Sequence, residues 1–211
     1  MGVVKFSDYV PQTLVGVNSP SPTLASEAVT GLPLATGARP GGSFYINEQQ
    51  ANSLSSSTQV CHAGWYRVVK VDSGATAAYI NFGYVGAQLS IPTGTLAAPA
   101  VGTVPTGVDI VTSYDKALVS GLGACIFLGA VTPGYYTIVQ DAGDASVQVS
   151  TSSGTAGDTL IAQKSGNGQA TDLTSTAVTG TNYPQILGVA EATWSVAGLV
   201  RTRLGFAFGG I

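Results

Sequence analysis

From Cys61 onward the apolar positions fall into short runs separated by turn residues, a rhythm that suits β-strands and not helices. Trp65-Tyr66-Arg67-Val68-Val69-Lys70-Val71 is rich in β-branched and aromatic residues, and Ala77 to Leu89 sets Tyr79, Ile80, Phe82, Tyr84 and Val85 between glycines. Further strand-like runs are Val108 to Thr112, Ala124 to Leu128, Tyr135 to Gln140, Val147 to Val149, Thr159 to Ile161, Ile186 to Ala190 and Val200 to Phe208. Between them lie Pro133-Gly134, Asp141-Ala142-Gly143-Asp144, Gly157-Asp158 and Lys164 to Gly168, whose residues pre-set turns or tolerate positive φ. Ser146-Val147-Gln148-Val149-Ser150 alternates, which predicts one face on a core and one in water. Ala124 to Leu128 is apolar throughout, as in a strand covered on both faces. Its second cover is expected from another part of the chain or from another subunit.

The first sixty residues read differently. Pro11, Pro20, Pro22, Pro33 and Pro40 interrupt a stretch whose apolar residues keep neither helical nor alternating spacing, so extended chain and turns are expected. Only Asn47 to Ser57 has the composition for a short polar helix, and Ser55-Ser56-Ser57 would end it. The expected organisation is an extended proline-rich arm over 1–60, a β-rich segment over 61–123 that forms a second small β domain, and a final β domain over 124–211. Many short strands at this spacing predict an all-β sandwich or barrel.

Composition narrows the function. Only 9% of the 211 residues are charged, 8 basic and 11 acidic, against roughly 25% in an ordinary domain. The mean hydropathy is +0.31, yet no run reaches the ~18 apolar residues of a membrane span. Ala117 to Val131 comes nearest and is broken by Ser120, Gly121, Gly123 and Gly129. A net charge of −3 without a basic cluster argues against nucleic acid as a partner. The 28 glycines and 10 prolines stay below the roughly 25–30% of a low-complexity chain. Cys61 and Cys125 are too few for a disulfide framework and are expected as buried thiols. Met1 to Phe6 carries no signal-peptide core, so synthesis in a cytoplasm without classical export is expected.

Catalytic chemistry finds little to work with. His62 is the single histidine, and no Gly-x-Ser-x-Gly elbow is present. Adjacent strand residues point to opposite faces, so Cys61 and His62 make no dyad there, although Cys125 could meet His62 across a sheet. Two cysteines and one histidine fall short of a four-ligand zinc set. Asp141, Asp144 and Asp158 do not follow the EF-hand spacing and read as turn aspartates. No catalytic residue, cofactor site or metal site is therefore expected. Trp65, Tyr66, Tyr79, Tyr84, Tyr135 and Tyr136 could form a sugar-stacking platform, but core or interface is the commoner fate of such residues.

Three motifs in the last third carry a resemblance: Gly129 to Gly143 with Pro133-Gly134 leading a strand into Gln140-Asp141-Ala142-Gly143, then Ala156-Gly157-Asp158-Thr159-Leu160, then Leu187-Gly188-Val189-Ala190. In this order they resemble the capsid decoration, or cement, proteins of tailed bacteriophages, over roughly the last 85 residues. The resemblance implies a β-tulip-like or related barrel domain, assembly as a homotrimer, and a location on the outer surface of the virion bound to the major capsid protein. It also implies an extended N-terminal arm on neighbouring capsid subunits. Phe6, Tyr9, Val10 and Leu14 are the expected arm anchors, because aromatic and large apolar side chains dominate interfaces. The expected function is to stabilise the assembled head without catalysis, and the alternative is a tail-fibre or receptor-binding β domain recognising host glycans.

Overall fold

The structure is a computed structural model and describes residues 18, 43–55, 60–89, 110–117, 124–150, 153–162, 167–173 and 185–205. The fold is all-β, as expected, and the described residues form ten strands hydrogen-bonded in one sheet system and one short helix. The strands are β1 (Ser43–Ile46), β2 (Gly64–Val71), β3 (Val85–Gln88), β4 (Ile110–Ser113), β5 (Ala124–Phe127), β6 (Tyr136–Val149), β7 (Thr159–Ala162), β8 (Ala170–Asp172), β9 (Gln185–Ala190) and β10 (Gly198–Leu204); helix α1 is Glu48–Leu54. Asn47 caps that helix by accepting from the Gln50 amide at 2.9 Å while Gln50 accepts from the Asn47 amide at 3.1 Å.

The pairings close two rings that share β6. The first ring runs β2, β4, β3, β5 and the first half of β6, with β6 returning to β2 in antiparallel register from Lys70↔Tyr136 to Gly64↔Gly143. The second runs β6, β10, β9, β7 and β8, and closes through the parallel contact Val149↔Ala170. Strand β1 adds to β2 from Ser43↔Arg67 to Ile46↔Gly64, so the last part of the segment expected as an arm is paired to the sheet. The expected division between residues 123 and 124 falls between β4 and β5, while β3 bonds to both of these strands.

Each ring surrounds apolar side chains. Val69, Val71, Val111, Cys125, Phe127 and Val139 form the cluster of the first ring, and Val147, Val149, Leu160, Ala162, Leu187, Val200 and Leu204 belong to that of the second. Strand β5 divides between them: Cys125 and Phe127 join the first cluster, Ala124 and Ile126 the second. Its continuous apolar run thus has both covers from this chain.

Several turn and strand expectations change. Asp141 to Asp144 is not a turn but lies inside the 14-residue β6, where the register shifts between Trp65/Tyr66 and Asp141 becomes the extra residue of a bulge. Gly143 there has φ +96, and buried Gln140 donates to the Asp144 carbonyl at 2.5 Å, so the irregularity is satisfied internally. In the expected Ala77 to Leu89 strand, Ala77–Tyr79 forms a 3₁₀ turn and only Val85–Gln88 is extended. The Pro133-Gly134 turn stands as expected, closed by Tyr135 N donating to the Thr132 carbonyl at 3.0 Å with Gly134 at φ +88.

Candidate interaction surface

The expected arm anchors Phe6, Tyr9, Val10 and Leu14 lie outside the described residues. The described surface offers a different feature, built by the alternation of β10. Val200, Thr202 and Leu204 are buried, while Leu199, Arg201 and Arg203 project outward. Register sets Arg203 opposite Asp144, Arg201 opposite Ser146 and Leu199 opposite Gln148 on β6, and Arg203 opposite Val189 on β9.

Four charges on this face close on one another. Arg201 reaches Asp144 at 2.7 Å and Glu191 at 2.8 Å, and Arg203 reaches Glu191 at 2.7 Å and Asp144 at 3.5 Å. Burial alone would raise the Asp144 carboxyl, but Arg201 and Arg203 outweigh it and hold it below its ordinary value. Each such exposed pair contributes only about 0–1 kcal/mol to stability. Their consequence for binding is larger, since paired charges cost less to cover than isolated ones. On the strands that flank and carry the ion cluster, Ile186 is 61% exposed, Val189 44% and Leu199 50%. A second exposed apolar feature is the cross-strand pair Tyr45 and Trp65, with ring centroids 5.5 Å apart and planes tilted by 59°. The six aromatics named from the sequence do not form one platform: Tyr66 is fully buried, Tyr84 and Tyr135 pack on the first-ring cluster, and Trp65 is the exposed member.

Groups with chemical potential are kept apart. His62 Nε2 lies 3.1 Å from Ser146 Oγ beside the ion cluster, and burial first, then Arg201, lowers its pKa. Cys125 belongs instead to the first-ring cluster, where burial pushes its thiol up to about 12. The sheet therefore does not unite Cys125 with His62, and a thiol held so high is a poor nucleophile. Cys61 is also buried, with its thiol raised to about 11. Asp141 forms a two-pronged pair with Arg67, Nε to Oδ2 at 3.0 Å and Nη2 to Oδ1 at 3.1 Å, and Arg67 Nη1 donates to Gln88 Oε1 at 2.9 Å. Asp158 accepts from Thr155 N at 2.7 Å and holds a turn, as expected. Among the described residues no group of three or more His, Cys, Asp or Glu side chains is placed to hold a metal ion, and no helix is long and apolar enough to cross a membrane.

No known protein-family model matches the chain, and no curated protein matches it.

Proposed function

We propose that the chain is a structural protein of a tailed-phage virion that binds the outer surface of the assembled head and stabilises it. The observation that carries this reading is the outer face of β6, β10 and β9: apolar side chains left exposed around charges already neutralised in pairs. Such a face is inexpensive to cover with another protein surface. The motif resemblance adds support, since its three segments occupy the turn into β6, the turn into β7 and strand β9. In this reading the protein assembles as a homotrimer and contacts the major capsid protein, each further contact raising the effective concentration of the next. Residues 1–17, with Phe6, Tyr9, Val10 and Leu14, supply an arm.

Co-sedimentation with tailed-phage heads lacking the protein tests it. The full chain is expected to pellet with heads and to delay their thermal rupture, and a chain without residues 1–17 is expected to remain folded and stay in the supernatant. Full-strength binding by the shortened chain would remove the arm from the reading, and absence of binding by the full chain would remove the reading itself.

The exposed Tyr45–Trp65 pair favours a second reading, a receptor-binding β domain that stacks sugar rings on aromatic faces. Glycan-array binding lost in Trp65→Ala, with no binding to heads, would select it.

A further inference from the structure

Asn18 lies 114 residues from Thr132 in sequence and meets it twice: its Nδ2 donates to Thr132 Oγ1 at 3.0 Å, and Thr132 N donates to its Oδ1 at 3.0 Å. The side-chain amide thus serves a backbone N–H and a hydroxyl together, as an added strand would serve the backbone. Both residues are exposed, so burial does not force them together. The landing point is firmly held. The Thr132 carbonyl closes the turn to Tyr135, Gly134 N donates to the Val71 carbonyl at 3.0 Å, and Val71 N donates to the Tyr135 carbonyl at 2.8 Å.

We infer that Asn18 and Thr132 form a clip that holds the chain at Asn18 to the end of the first ring carrying the Thr132–Tyr135 turn, and so sets the point from which the arm is presented to the head. The second half of this inference rests on the proposed function; the clip itself does not. The geometry of a tether gives the clip its effect. Phe6 is 12 residues from Asn18 and 37 from Ser43, the first residue of β1. Effective concentration falls roughly as the −3/2 power of tether length, so losing the clip lowers binding by up to about fivefold per arm.

Two measurements on the full-length chain decide the matter. In the first, the double variant Asn18→Cys with Thr132→Cys is oxidised mildly beside a control that joins Asn18→Cys with Thr155→Cys in the second ring; native Cys61 and Cys125 are buried. A cross-link at least tenfold faster at Thr132 is expected, read by peptide mass mapping, and equal rates overturn the clip. In the second, Asn18→Ala is expected to keep the circular dichroism of the parent and bind heads about fivefold more weakly. Parent-like binding by Asn18→Ala, while deletion of residues 1–17 abolishes it, overturns the presentation role and leaves the decoration reading standing. Failure of the parent chain to bind heads overturns that reading and the presentation role together, while the cross-link still decides the clip.

Discussion

Arg67 places a guanidinium on the same face of β2 as Val69 and Val71, two residues of the first-ring core. What makes this tolerable is Asp141, whose carboxyl meets it at two points, and Gln88, which takes a further N–H. The side chains are 14% and 8% exposed, so neither ion can turn to water if the other is removed. Burial pushes the Asp141 carboxyl above its ordinary value against the opposing pull of Arg67. Arg67→Met is therefore expected to lower the free energy of unfolding by about 3 kcal/mol, because it strands a buried carboxyl. The double variant Arg67→Met with Asp141→Leu is expected to recover most of that loss, since an apolar pair of similar volume asks for no partner. Urea denaturation of the parent, Arg67→Met and the double variant checks both, and a double variant no more stable than Arg67→Met would show that the pair holds the ring together in its own right.

Strand β6 shows how a short irregularity can organise a long element. Its bulge lets one strand serve both rings, and Gly143 sits at the changeover, paired to Gly64 on one side and Leu204 on the other. At φ +96 a side chain is strained, and a Cβ there would collide with the Ala63 carbonyl. Gly143→Ala is expected to cost about 2 kcal/mol or more and to increase amide exchange in both β2 and β10, measured by hydrogen exchange. Exchange confined to β2 would mean that the changeover does not couple the rings. Alternation in Ser146 to Ser150, the apolar run of β5, the short helix within Asn47 to Ser57 and the Pro133-Gly134 turn were all legible in the sequence, because each depends on local chemistry. Asp141-Ala142-Gly143-Asp144 misled, because the same residues that favour a turn also suit a bulge, and only the partner strand distinguishes them. Strands β1 and β8 have four and three residues, too few to show a period. The ion cluster of Asp144, Glu191, Arg201 and Arg203 was not legible either, since its members meet only through the register of β6, β10 and β9.

Two rings sharing a strand could behave as two folding units or as one, and the position of β3 and β5 decides between these. Val85, Ala87, Ala124 and Ile126 belong to first-ring strands by hydrogen bonding, yet their side chains lie in the cluster of Val147, Leu160, Leu187 and Val200. The first ring therefore forms a wall of the second core, and unfolding either ring would uncover apolar area that the other cannot leave exposed. At roughly 25 cal/mol per Å² of apolar surface, baring even these four side chains costs several kcal/mol, comparable to the whole stability of many domains. A single cooperative transition is expected, with calorimetric and van't Hoff enthalpies equal and with Arg67→Met, a first-ring change, lowering the melting of near-ultraviolet signal from second-ring Trp194 by the same amount as the far-ultraviolet signal. Two separable transitions, or a Trp194 environment that survives loss of the first ring, would show the cores to be independent. The same coupling means that the double cover of β5 is complete within one chain, so in the proposed function any surface for assembly onto a phage head is the exposed face of β6, β10 and β9 or the arm, and not an uncovered side of β5.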